Sequence, residues 1–119
     1  MQGKELARRI AIAALEKKAE NIRIFDLRGL SSITDFFVIC SGVTDLHTRA
    51  IQEGIVETLK EASIRPWHVE GENLGRWILI DYVDVVVHIF QPEVREYYGL
   101  ERLWGDAEIE EITDENVKA

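Results

Sequence analysis

Phe36-Phe37-Val38-Ile39-Cys40-Ser41-Gly42-Val43-Thr44-Asp45 joins the most apolar run of the chain to a glycine turn and a helix-capping pair. Five consecutive apolar residues leave neither side of a strand polar, so Phe36 to Cys40 predicts a central strand covered on both faces. Ser41-Gly42 breaks it. Thr44 or Asp45 then supplies an N-cap for a helix through Ala62, whose Ala50, Ile51, Ile55, Leu59 and Ala62 make one apolar stripe. A strand, a glycine turn and a helix form half a βαβ unit, which points to an α/β sheet.

Working outward, Leu6, Ile10, Ala13 and Ala14 recur at helical spacing and predict an amphipathic helix from Lys4 to Glu20. Ile22, Ile24 and Phe25 read as a short strand before Asp26, and Arg28 to Ser32 as a loop. Beyond the second helix, which Ser63 to Pro66 stops, Trp67-His68-Val69 reads as a short strand and Glu70 to Asn73 as a turn. Arg76 to Asp81 and Asp84 to Phe90, with only Tyr82-Val83 between them, read as an antiparallel hairpin. Pro92 opens a helix carrying Val94, Tyr97 and Tyr98, and Gly99 closes it from the left-handed position. Leu100, Leu103 and Trp104 pack as a last turn. The expectation is a single mixed α/β domain over residues 1–104, a five-stranded sheet flanked by helices, and a disordered acidic tail over 105–119.

The length of 119 residues suits one domain, and 46% hydrophobic with 30% charged residues excludes low-complexity and wholly disordered classes. The longest apolar run is far short of the roughly 20 residues a membrane helix needs, and Met1 to Glu5 opens no apolar signal core, so the expectation is cytoplasmic with no membrane. A single cysteine, Cys40, forms no internal disulfide. His47, His68 and His88 are scattered, so neither metal nor cofactor is expected. Charge is uneven. The chain carries a net −8, yet residues 1–28 hold seven basic and four acidic groups, residues 29–104 six and twelve, and residues 105–119 one and six. A net-acidic body repels nucleic acid over most of its surface and suits a basic protein partner, while the basic first segment leaves room for incidental RNA contact.

No catalytic set emerges. Ser41-Gly42 lacks the surrounding glycines and lysine of a phosphate loop and reads as a strand-to-helix turn that needs glycine. Asp81 and Asp84 bracket the hairpin turn, whereas two metal-binding carboxylates on one strand face sit two residues apart. His88 falls mid-strand on the face of Val86 and Phe90, where a hydrogen-bonded structural histidine is the simplest reading and a general base lacks a partner. What stands out is binding chemistry. Trp77, Tyr82, Glu70, Glu72, Asp81 and Asp84 cluster in sequence, and an aromatic anchor ringed by steering charges is how interface hot spots are built. Alternation places Trp77, Leu79 and Asp81 on one face and Arg76, Ile78 and Ile80 on the other. Both faces are mostly apolar, so one packs on helices and the other packs either as core or on another chain.

Taken together, Asp26 through Gly42, Val69-Glu70-Gly71-Glu72, Trp77 through Tyr82, Asp84 through Phe90 and Leu100-Glu101-Arg102-Leu103-Trp104 resemble, in order and spacing, the ribosomal silencing factor family (RsfS, Iojap-like). The resemblance spans about residues 4–105. It implies a nucleotidyltransferase-like fold without catalytic carboxylates and a non-enzymatic translation repressor that is a homodimer when free. It implies binding to ribosomal protein fourteen of the large subunit and exclusion of the small subunit. Carried over by position, the family's hairpin block falls on Glu70, Trp77, Leu79, Asp81, Tyr82, Asp84 and His88 as residues that line or support the protein interface. One departure is Val83, where the family's turn usually has glycine; valine disfavours positive φ. The alternatives are an active nucleotidyltransferase on the same fold and a dimeric adaptor for another basic protein.

Overall fold

The apolar run forms β2 (Phe36–Ser41) in the interior of the sheet of the computed structural model, which describes residues 3–117. Before it lie α1 (Gly3–Glu16) and β1 (Glu20–Asp26); after it come α2 (Asp45–Glu61), β3 (His68–Glu70), β4 (Trp77–Asp81) and β5 (Val85–Phe90). The chain ends with α3 (Pro92–Tyr98), α4 (Leu100–Leu103), β6 (Glu108–Ile112) and α5 (Asp114–Val117). The strands run in the order β3-β4-β5-β2-β1-β6, with β2 and β5 parallel and every other neighbouring pair antiparallel.

Thr44 caps α2, its Oγ1 accepting the His47 N–H at 3.0 Å. A Cβ on Gly42 would meet Thr48 Cγ2 at 2.9 Å, so glycine lets the first turn of α2 come down onto the end of β2. Both faces of the sheet bury apolar side chains. On one, α1 and α2 set Ile10, Ile51, Ile55 and Leu59 against Val38, Cys40, Ile78, Ile80, Val87 and Ile89. Burial there pushes the Cys40 thiol up to about 12, as expected of a small core residue. On the other, a smaller core of Phe25, Leu27, Ile39 and Phe90 lies beneath Val94, Leu100 and Trp104. This second layer covers only part of its face.

Three expectations are corrected. The sheet has six strands, not five, and the sixth comes from the segment expected to be a disordered tail. β6 pairs with β1 from Ile22↔Ile112 to Asp26↔Glu108, and Arg23 pairs with Glu111 at 3.1 Å while Arg8 pairs with Glu110. The first helix ends at Glu16 rather than Glu20. Lys18 turns left-handed (φ 65°) and the Ala19 N–H reaches the Ala14 carbonyl at 3.1 Å, closing the helix end. The hairpin turn sits one residue later than the Tyr82-Val83 loop expected. Tyr82 donates its N–H to the Val85 carbonyl at 2.9 Å, which leaves Val83 and Asp84 as the turn residues. The Val83 φ of 74° keeps the positive conformation that glycine would favour.

Candidate functional site

Strand register assembles the face opposite α1 and α2 in rows. Pairing places Glu70, Leu79, His88, Ile39 and Arg23 side by side across five strands, and His68, Asp81, Val86, Phe37 and Phe25 in the next row. Trp77 stands opposite Phe90. Because cross-strand partners project to the same side, five of the seven sequence-predicted residues (Glu70, Trp77, Leu79, Asp81 and His88) share one face, opposite α1 and α2.

Aromatic rings form the body of this face. Trp77 packs 4.8 Å from Phe90 and 4.9 Å from Tyr98 between ring centroids, and Phe37 meets His88 edge-on at 4.6 Å. The Trp77 indole N–H donates to His88 Nδ1 at 3.0 Å. His88 is 4% exposed, and burial pushes its imidazole down to about 4, so the ring is neutral near pH 7. A neutral ring that accepts at Nδ1 carries its proton on Nε2, and that atom is buried without a partner. His88 therefore supports Trp77 from beneath.

Carboxylates rim the rings. Exposed Glu70 accepts from His68 Nε2 at 2.5 Å, and Asp81 Oδ1 accepts the Val83 N–H at 2.7 Å. Asp84 is exposed at the turn, its carbonyl accepting the Asp35 and Phe36 N–H groups and so tying the turn to the start of β2. Tyr82 departs from the set. The later turn places it in line with Ile78 and Ile80, so it is 7% exposed within the helix-side core, and burial pushes its phenol up to about 12. The sequence reading does not single out Phe37, Tyr98 or Trp104. Phe37 alternates with buried Phe36 and Val38 and so belongs on this face, a signal the uniformly apolar run obscures.

A half-covered mixed sheet whose remaining face is aromatic, acid-rimmed and anchored by a neutral buried histidine defines a small α/β domain suited to contact rather than turnover. Among the described residues no three His, Cys, Asp or Glu side chains gather to hold a metal ion, and no helix is long and apolar enough to cross a membrane. The chain belongs to the ribosomal silencing factor family: the family model described as "Ribosomal silencing factor during starvation" matches residues 1–119. It is 39% identical over 112 residues to the ribosomal silencing factor RsfS of Bacillus subtilis, covering 94% of this chain and 95% of that one. It is 33% identical to the mouse protein named "Mitochondrial assembly of ribosomal large subunit protein 1", covering 75% of this chain and 40% of that one. A crystal structure of a Chromobacterium violaceum protein superposes with a TM-score of 0.86 at 32% identity, covering 88% of each chain. The family's members are silencing factors, regulators of translation on the ribosome rather than enzymes.

Proposed function

We propose that this chain binds the large ribosomal subunit at its ribosomal protein fourteen and represses translation by sterically blocking the small subunit. The observation that carries this reading is the side-by-side placement of Trp77, Leu79, Asp81 and Glu70 on a sheet face left partly open by the short C-terminal helices. Partly exposed aromatic and aliphatic side chains supply burial on docking, and the acids around them suit a basic ribosomal protein. The mouse relative's printed name places that protein in large-subunit assembly, which supports the choice of subunit. Asp84, at the turn, and His88, beneath Trp77, support the contact face, and Tyr82 holds the hairpin from the core side.

The free protein is a cytoplasmic homodimer in this reading, and the basic α1 surface makes incidental contact with ribosomal RNA. The reading keeps a nucleotidyltransferase-like fold without catalytic carboxylates, and the use of Asp81 to hold the hairpin turn through Val83, with Asp84 across that turn, supports the second half of it. Sedimenting the purified chain with isolated large and small subunits tests the proposal. Co-migration with the large subunit alone is expected; co-migration with the small subunit, or with neither, overturns it.

A further inference from the structure

Beside Trp77 the surface opens into a groove of about 580 Å³ lined by Leu74, Trp77, Glu93, Val94, Tyr97 and Tyr98, with Gly71 and Arg76 completing the wall. Its rings form a connected array: Tyr98 lies 4.9 Å from Trp77, and Tyr97 meets Tyr98 edge-on at 5.1 Å. These side chains are left to solvent, with Tyr97 80% and Leu74 71% exposed. The groove is also held in shape. Arg49 Nη1 donates to the Asn73 carbonyl at 3.1 Å, and Thr48 Oγ1 and Gln91 Nε2 donate to the Gly75 carbonyl at 2.6 and 3.1 Å, so α2 and the start of α3 fix the loop that carries Leu74. A preformed groove loses little freedom on binding.

Rings alone would accept any apolar side chain; the charges narrow the choice. Glu93 lines the groove and Glu70 and Glu72 flank Gly71, against Arg76 as the one basic lining residue. Aromatic faces are themselves attractive to cations. We propose that this groove takes an arginine side chain of the partner protein, with its alkyl stem on Leu74 and Val94 and its guanidinium against the tyrosine and tryptophan rings and the Glu93 carboxylate. Arginine fits better than lysine because a planar, weakly hydrated guanidinium both stacks on rings and pairs in two-pronged fashion with a carboxylate. This inference rests on the reading that the chain docks on a basic protein, and it adds Glu93, Tyr97 and Tyr98 to the contact surface.

The test titrates the ¹⁵N-labelled full chain with N-acetyl-arginine methylamide and, separately, with N-acetyl-norleucine methylamide, following the Trp77 indole N–H and Tyr98 amide signals. Arginine is expected to move both signals, norleucine at least several-fold less, and Tyr98→Leu to erase the difference. Tyr98→Leu and Glu93→Gln are each expected to weaken large-subunit binding by roughly 3- to 30-fold, the span of a cation held against rings. Equal responses to the two probes, or unchanged large-subunit affinity in both variants, overturns the inference. Arginine selectivity in a chain that binds no large subunit leaves the groove assignment standing and overturns the ribosomal reading instead.

Discussion

Trp77 and His88, on adjacent antiparallel strands, are joined by a 3.0 Å hydrogen bond in which the indole donates to Nδ1. That bond fixes the tautomer of a buried imidazole and the angle of the half-exposed indole above it. Since His88 is pushed down to about 4 from an unfolded value near 6.5, the unfolded chain binds the extra proton between those values, and stability falls as pH drops through that window. We predict that the unfolding free energy, read from denaturant titrations, falls from pH 7 to pH 5, its slope approaching one proton, about 1.4 kcal/mol per pH unit, below pH 6. His88→Leu should flatten the profile in this window; an equally steep profile in that variant would assign the dependence to other groups.

Val83 should be replaceable with profit. A β-branched residue at φ 74° in a turn closed by the Asp84 N–H to the Tyr82 carbonyl at 3.0 Å carries strain of about 1–3 kcal/mol. Glycine relieves that strain and adds about 0.5–1 kcal/mol of unfolded-chain entropy, so the strain wins. Val83→Gly is expected to raise stability by about 1 kcal/mol in denaturant titration, whereas a loss would mean that the valine side chain stabilises the turn.

Glu101 joins two arginines. It accepts from Arg95 Nε at 2.7 Å and pairs with Arg23 at 3.0 Å, and Arg95 also donates to Ser41 Oγ at 2.9 Å. The Arg95 bond, then the coulombic pull of both cations, holds the Glu101 carboxyl below its ordinary range. The Arg95 side chain is only 10% exposed, so Glu101→Ala strands a sheltered cation. We expect a cost of roughly 2 kcal/mol, below the figure of about 3–5 for fully buried pairs because Glu101 itself reaches solvent. Glu110→Ala, which breaks the solvent-exposed pair with Arg8, should stay within about 0.5 kcal/mol. Chemical denaturation of the two variants side by side checks the contrast.

The C-terminal strand is part of the fold. Ile112 is 5% exposed in the helix-side core, so Ile112→Ala should cost about 2 kcal/mol or more by cavity formation. A change below about 0.5 kcal/mol in the melting transition would show that β6 contributes little.

The centre of the fold was legible because its signals are local. Phe36 to Cys40 is apolar throughout, Thr44 caps, Pro92 starts a helix and Gly99 (φ 56°) ends it. Strand alternation also placed Trp77, Leu79 and Asp81 on one face. What escaped depends on distant partners or on a single residue of register. Glu108–Ile112 reads as an acidic tail until Arg8 and Arg23, roughly ninety to a hundred positions earlier in the chain, neutralise it and β1 offers an edge. Tyr82 reads as a turn tip until the loop shifts by one residue, which turns it inward. The Trp77–His88 contact survives that shift: the expected loop sets the two residues directly opposite, and the observed register, with Trp77 opposite Phe90 and Leu79 opposite His88, makes the bond a diagonal one whose donor and acceptor atoms depend on side-chain packing rather than on sequence.

In the proposed function, the Trp77–Leu79–Asp81 face mediates exclusion of the small subunit. Light scattering of large subunits, preincubated with the wild-type chain or with Leu79→Lys and then mixed with small subunits, is the decisive measurement. Leu79 is half-buried at the centre of the face, so the lysine places a like charge against a basic partner while its stem still covers the sheet. The wild-type chain is expected to suppress the rise in scattering, and Leu79→Lys, with its fold intact by circular dichroism, to restore it. Suppression by both proteins alike, or by neither, would contradict it.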